Sequence, residues 1–136
     1  MPLLLNSFLE RPLCRPSRLA ALERLIDAHP GAPWTVGEMA RRIGISPSRL
    51  HALSRSEWGL SPQAWLAERR ISHVRKWLAE SDLPIADLAL RAGYADQSAL
   101  TRAMQRLTGL TPAAYRRQTR LGQKNRSPEQ DSRPHP

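Results

Sequence analysis

A seven-residue near-repeat constrains the fold of this chain more than any other feature. Positions 59–65 have the sequence GLSPQAW, and positions 109–115 have the sequence GLTPAAY. The match extends upstream, where Gly44 aligns with Gly93 and Leu50 aligns with Leu100. The offset grows by one residue between these two pairs, which places an extra residue in the second turn. We therefore predict two copies of one small helical unit.

Helix start and stop signals predict what each copy contains. Ser46 is a favourable N-cap with Pro47 at the first helical position, and Thr35 with Glu38 matches a capping box. Glycines such as Gly44 end the helices, because glycine adopts the left-handed conformation common at helix C-termini. Seven helices are predicted, over about residues 17–29, 35–43, 46–58, 61–80, 85–92, 96–108 and 111–119. The predicted fold class is all-α.

The charge of the chain favours a polyanionic partner. Twenty-one Lys and Arg residues stand against 12 Asp and Glu residues, which gives a net charge of +9. Nineteen of these cations are arginines, whose planar guanidinium group can donate two parallel hydrogen bonds to a phosphate or to a guanine edge. Composition of this kind bears on the partner and says little about the fold.

Each copy has the outline of a helix-turn-helix, namely a helix, a short glycine-containing turn and a second helix. A joining helix over residues 61–80 would be roughly 30 Å long. Since major grooves on one side of a DNA duplex recur about every 34 Å, this length suits two recognition helices in adjacent grooves. The alternative is a helical repeat that contacts proteins.

A longer motif in the second copy identifies a family that the chain resembles. The motif runs Gly93-Tyr94-Ala95-Asp96-Gln97-Ser98, continues through Leu100 and Arg102, and ends in Gly109-Leu110-Thr111-Pro112 with Tyr115-Arg116. Over about residues 17–118 the chain resembles the AraC/XylS transcription regulators. The resemblance implies a seven-helix tandem helix-turn-helix that binds double-stranded DNA sequence-specifically in the bacterial cytoplasm. It also implies transcription regulation, with activation as the expected sign and RNA polymerase as a further partner.

The resemblance also implies a domain organisation. We expect a DNA-binding domain over residues 17–118, made of a first subdomain (17–60), a linker helix (61–80) and a second subdomain (81–118). Residues 1–16 are expected to form a flexible arm and residues 119–136 a disordered tail. Many family members carry a separate ligand-sensing or dimerisation domain, which residues 1–16 are too few to form. We therefore expect a monomer, or a dimer through a domain missing from this sequence.

The third predicted helix is the candidate recognition helix of the first subdomain. Its candidate DNA-contacting residues are Ser48, Arg49, His51, Ala52 and Arg55. The family resemblance assigns base contacts to Ser48, His51 and Ala52, whose side chains are small or modest. Arg49 and Arg55 are candidates for phosphate contacts, or for a guanine contact. The alternative for His51 is a solvated surface imidazole.

The sixth predicted helix is the candidate recognition helix of the second subdomain. Its candidate DNA-contacting residues are Gln97, Ser98, Thr101 and Arg102. Glutamine can pair with adenine and arginine with guanine. The alternative for Gln97 is a polar residue at the helix N-terminus that has no DNA contact. The alternative for Arg102 is an ion pair within the protein. One departure from the family pattern is Ser54, which stands where the family has phenylalanine in the core and aligns with Met104.

Other function classes are disfavoured by the sequence. The four histidines have no ligand-like spacing, Cys14 is the only cysteine, and no phosphate-binding glycine loop is present, so we expect no enzyme, no metal site and no cofactor. No apolar run approaches the ~20 residues that span a bilayer, so we expect no membrane partner. The competing hypothesis is a protein-interaction module with little specific DNA binding, which the small side chains at Ser48 and Ala52 favour.

Overall fold

The computed structural model describes the backbone of residues 17–132 and the side chains of residues 17–123. This part of the chain is all-α, as predicted, and it contains seven helices. They are α1 (Arg18–Ala28), α2 (Val36–Arg42), α3 (Pro47–Glu57), α4 (Pro62–Glu80), α5 (Ile85–Arg91), α6 (Gln97–Thr108) and α7 (Pro112–Ser132). The expected flexible arm over residues 1–16 lies outside the described residues.

The predicted N-caps explain where the helices begin. The Ser46 hydroxyl accepts a hydrogen bond from the Arg49 backbone N–H at 3.2 Å, and the Asp96 carboxylate accepts one from the Ala99 N–H at 2.8 Å. Thr35 likewise accepts from the Glu38 N–H at 3.0 Å. The reciprocal half of the predicted capping box is missing, because the Glu38 carboxylate turns away to bind arginines of its own helix. Local cap chemistry therefore sets these boundaries.

The helices are divided between two compact units. The first unit holds the described residues up to His29 together with Trp34–Trp65, and the second holds Pro30–Pro33 together with the chain from Leu66 onward. The predicted linker helix is therefore not a separate element: most of α4 belongs to the second unit. The loop at positions 30–33, which we expected in the first subdomain, also belongs to the second unit.

The first unit buries one stripe of each of its helices. Its fully buried side chains include Leu22 and Ile26 of α1, Met39 of α2 and Leu50 of α3. Ser54 of α3 is also fully buried, and its hydroxyl donates to the His51 carbonyl at 3.2 Å. The expected core position of Ser54 is therefore confirmed, and the hydroxyl has the hydrogen bond that its burial requires.

The second unit has a core formed by α4, α5 and α6. The buried residues of this core are Ile71, Val74, Leu78, Leu88, Ala89, Ala92, Leu100, Ala103 and Met104. The residues of α4 recur at spacings of three and four, as expected for one face of a helix. This core explains why α4 is more than a spacer, since its apolar face is consumed by packing against the second helix pair.

Helix α7 is longer than predicted. The sequence predicts an end at about Thr119 and a disordered tail over 119–136, whereas the backbone of α7 continues to Ser132. Residues 133–136 of the expected tail lie outside the described residues. Arg120 explains the first added turn, because it donates to the Ser81 carbonyl at 2.8 Å and pairs with Asp82 at 3.1 Å. Helical periodicity does not predict these partners, because Ser81 and Asp82 lie almost forty residues upstream of Arg120.

Candidate nucleic-acid interface

The exposed face of α3 carries all five candidate residues of the first unit. Ser48, Arg49, Ala52 and Arg55 are exposed, and His51 is half-buried. Four of these residues, Ser48, His51, Ala52 and Arg55, follow the spacing i, i+3, i+4, i+7 that defines one face of a helix. Arg49 lies next to this face. The opposite face carries the fully buried Leu50 and Ser54, so packing fixes which side of α3 points outward.

The exposed face of α6 brings the four candidate residues of the second unit together. Gln97, Ser98, Thr101 and Arg102 line one shallow, open depression on the surface. Only Thr101 among them is half-buried; the other three are exposed. The opposite face of α6 is buried in the core of the second unit. A shallow polar depression with a free guanidinium group can accept hydrogen-bonding edges of a ligand.

Two groups of arginines differ in the partners of their guanidinium groups. In the first group the guanidinium groups bind backbone carbonyls of the chain itself. Arg18 binds the carbonyls of Ile43 and Gly44, Arg70 binds those of Pro30 and Ala32, and Arg116 binds those of Leu78, Ser81 and Leu83. Three carbonyl contacts of 2.9–3.1 Å hold the half-buried side chain of Arg116, so its charge is not available to a DNA phosphate.

The second group of arginines has no hydrogen bond or ion pair within the part of the chain that the structure describes. Among the hydrogen bonds and ion pairs of the described residues, none involves the guanidinium groups of Arg49, Arg55, Arg91, Arg102 or Arg106. All five residues are exposed. The expected alternative for Arg102, an internal ion pair, is therefore absent from the described residues. Unpaired exposed guanidinium groups on the outer faces of α3 and α6 are available to phosphates and base edges.

Glu38 holds two further arginines on α2. Its carboxylate accepts from Arg41 Nε at 3.1 Å and from a terminal nitrogen of Arg41 at 2.7 Å, and it pairs with Arg42 at 3.5 Å. Hydrogen bonding to Arg41 lowers the pKa of Glu38, and the same contact raises the pKa of Arg41. Arg42 also lies over the Trp34 ring at 5.4 Å from its centroid. These two cations are less available than those of α3 and α6.

Sequence reasoning missed Arg70, which supports the turn of the second helix-turn-helix. Its guanidinium group lies against Gly93, where an added Cβ would come within 2.8 Å of it. Burial lowers the pKa of this arginine. The sequence does contain an indication of this structural role, because Arg70 lies at intervals of four residues from Leu66, Val74 and Leu78 on the buried face of α4. A charge inside an apolar stripe indicates a structural contact.

Among the described residues, no group of three or more His, Cys, Asp and Glu side chains could hold a metal ion. No helix in the same range is long and apolar enough to cross a membrane. Cys14 lies outside the described residues.

The chain matches a helix-turn-helix domain family over residues 39–118, which is more than half of its length. The HTH-type transcriptional regulator ExsA of Pseudomonas aeruginosa is 34% identical over 95 residues, covering 70% of this chain and 34% of ExsA. The arabinose operon regulatory protein of Escherichia coli is 31% identical over 83 residues, covering 61% of this chain and 28% of that protein. The chain thus spans about a third of the length of the curated relatives it matches.

Solved structures show the same fold. The DNA-binding domain of AdpA, determined in complex with a target DNA, superposes with a TM-score of 0.73 at 28% identity, covering 77% of this chain and 95% of that one. The C-terminal domain of AraT, a response regulator from Geobacillus stearothermophilus, superposes with a TM-score of 0.71 at 27% identity, covering 76% of this chain and 88% of that one. Together with the family match and the paired helix-turn-helix units, these similarities establish that the chain belongs to the AraC/XylS family of transcriptional regulators and carries its DNA-binding domain.

Proposed function

We propose that this protein binds double-stranded DNA sequence-specifically, with α3 and α6 as recognition helices in adjacent major grooves, and that it activates transcription. The observation that carries the proposal is the pair of polar helix faces, each backed by a buried apolar face. Each face bears at least one arginine whose guanidinium group has no hydrogen bond or ion pair among the described residues. Helix α4, with its 19 residues, is roughly 28 Å long, which is compatible with the groove repeat of ~34 Å.

In the first unit, α3 presents small side chains at Ser48 and Ala52 and an imidazole at His51. Ser48 and His51 offer single hydrogen bonds to base edges, and the Ala52 methyl group offers apolar contact to a thymine methyl. Arg49 and Arg55 supply phosphate contacts that fix the register of the helix on the duplex. This composition gives the first unit limited base discrimination and substantial backbone affinity.

In the second unit, α6 presents side chains that favour specific pairing. Gln97 can donate to and accept from an adenine edge, and Arg102 can donate two parallel hydrogen bonds to guanine. Ser98 and Thr101 complete the depression and add single hydrogen bonds. We expect Gln97 and Arg102 to carry most of the base discrimination of this unit.

The regulatory outcome and the further partners are also part of the proposal. Activation is supported by the relative from Yersinia enterocolitica named virulence regulon transcriptional activator VirF, which is 34% identical over 83 residues. An activator of this kind acts in the cytoplasm and contacts RNA polymerase. For the oligomeric state we propose a monomer, or a dimer formed through a domain that this sequence does not contain.

In vitro selection of DNA bound by the protein tests the proposal. We expect the selected sequences to converge on a site with two elements about one helical turn apart, and we expect substitutions in α3 and α6 to alter different elements. Titration of the selected and a scrambled duplex at two salt concentrations then separates specific from electrostatic binding. No convergence, with weak binding that salt abolishes equally for both duplexes, would favour the protein-interaction module instead.

A further inference from the structure

The C-terminal end of α3 is held by a contact that the second unit lacks. Trp58 is the C-cap residue of α3, and its ring stacks on Trp65 of α4 with centroids 4.1 Å apart and planes 10° apart. The Trp58 indole N–H donates to the carboxylate of Glu23 on α1 at 2.7 Å. A stack and a charge-assisted hydrogen bond therefore join the end of the recognition helix to two other helix segments of the first unit.

The internal repeat shows how this contact replaces a different one. The inner face of α3 runs Leu50, Ser54, Trp58 at intervals of four residues, and the matching face of α6 runs Leu100, Met104, Thr108. In the first unit the small Ser54 is followed by the large Trp58, whereas in the second unit the large Met104 is followed by the small Thr108. The large side chain therefore lies one helical turn later in the first unit.

Thr108 also makes a different kind of contact. Its hydroxyl donates to the Met104 carbonyl at 2.8 Å and accepts from the Leu110 N–H at 3.1 Å, so it caps its own helix. Trp58 instead reaches the neighbouring segments. Because Ser54 contributes little packing volume, Trp58 is the large side chain that anchors the second half of α3.

We propose that Trp58, held by Glu23 and Trp65, is a positioning residue for DNA recognition by the first unit. It sets the angle of α3 relative to the neighbouring helices of the first unit, and thereby the direction in which Ser48, His51 and Ala52 point. This inference rests on the proposed function. Short side chains cannot reach further when a helix is displaced. Because the base-contacting residues of α3 are small, their contacts with bases depend on the position of the helix itself.

Four substitutions separate this role from plain stabilisation. Trp58→Phe keeps a ring for the stack and removes the indole donor. Glu23→Ala removes the acceptor, whereas Glu23→Gln removes the same charge and keeps an oxygen that can accept from the indole. Trp77→Phe is the matched control, because Trp77 is a half-buried tryptophan that packs against the core of the second unit.

The measurements are the affinities for the selected duplex and for a scrambled duplex, at a temperature where circular dichroism shows each variant to be folded. We expect Trp58→Phe and Glu23→Ala to weaken binding to the selected duplex about 10-fold, the loss of roughly one base contact, with scrambled-duplex affinity unchanged or slightly raised. Glu23→Gln and Trp77→Phe should retain the wild-type ratio of the two affinities. The near-ultraviolet signal of the stacked tryptophans should weaken in Glu23→Ala and persist in Glu23→Gln.

Each outcome has a distinct meaning. If Trp58→Phe lowers thermal stability and leaves the affinity ratio unchanged, Trp58 is only structural and this proposal is overturned. An equal loss for Glu23→Gln and Glu23→Ala would assign the effect to charge, which also overturns it. If the wild-type protein itself does not distinguish the two duplexes, the proposed function fails, and this inference fails with it.

Discussion

Gly93→Ala gives the sharpest test of how the second unit is built. Gly93 lies in the turn between α5 and α6 and has φ +97°, in the left-handed region that favours glycine. A Cβ there would lie 2.8 Å from two atoms of the Arg70 guanidinium group. That group is the far end of a flexible side chain, so relieving the clash costs little free energy only if Arg70 is free to move. Arg70 is not free in this structure, because it donates to Pro30 O at 3.0 Å and to Ala32 O at 2.8 Å.

Gly109→Ala is the matched control for the backbone contribution. Gly109 has φ +81° and nothing within 4 Å of an added Cβ. An L-residue in the left-handed region costs about 1–2 kcal/mol, and a smaller unfolded-state entropy offsets roughly 0.4–1 kcal/mol of this. We therefore expect Gly109→Ala to lower the free energy of unfolding by about 1 kcal/mol. Gly93→Ala should add the loss of one charged hydrogen bond of Arg70, about 1.5–3 kcal/mol, for a total of ~3 kcal/mol.

Urea unfolding of both variants measures this difference directly, and a double-mutant cycle with Arg70→Ala identifies its source. In the Arg70→Ala background, Gly93→Ala should cost no more than Gly109→Ala costs in the wild type. Equal losses for the two glycine variants in the wild-type background would refute the reasoning, because they would mean that Arg70 swings away from its two carbonyls at no cost.

Three further predictions follow from the described contacts. Arg102→Ala should weaken binding to the selected duplex by about 1–3 kcal/mol if Arg102 pairs with guanine, and unchanged affinity with unchanged site preference would remove it from the interface. Glu38→Gln should release Arg41 and steepen the salt dependence of DNA binding by about one phosphate contact, whereas Asp87→Asn, its counterpart in the repeat, should leave the slope unchanged. Burial raises the pKa of Tyr94, whose hydroxyl has no hydrogen-bond partner among the described residues, so its contribution to stability is present below about pH 10 and lost as pH rises through the raised pKa. Tyr94→Phe should therefore flatten the alkaline fall in unfolding free energy, and an unchanged fall would contradict that assignment.

The sequence predicted the parts of the fold that depend on neighbouring residues. The caps at Ser46 and Asp96 are local, since each satisfies an N–H three residues ahead, and the predicted starts of α3 and α6 are confirmed. The division into units was not predictable in the same way. Whether α4 is a linker or part of a core depends on what packs against Val74 and Leu78, and that partner surface lies elsewhere in the chain.

The roles of the arginines show the same limit at the level of the site. From sequence alone, the contacts of Arg116 and of Arg102 cannot be predicted, since both lie on helices of a basic domain. In the structure Arg116 binds three carbonyls at the end of α4 and in the following loop, whereas Arg102 has no hydrogen bond or ion pair among the described residues. Net charge therefore overstates the number of cations that can meet a phosphate. Helical periodicity does predict which side of α3 and α6 faces outward, and the candidate residues on those sides are exposed or half-buried.

The near-repeat at positions 59–65 and 109–115 now has a structural meaning that differs between its copies. In both, Ser61 or Thr111 caps the next helix through the N–H three residues ahead. In the first copy the aromatic residue, Trp65, stacks on Trp58 and thereby contacts the C-terminal end of α3. In the second copy the aromatic residue, Tyr115, instead accepts a hydrogen bond from Arg75 of α4. The shared motif sets where the next helix starts, through the caps at Ser61 and Thr111. The residues around it determine which helix its aromatic side chain contacts, so α3 and α6 can differ in sequence while the two units keep the same helix boundaries.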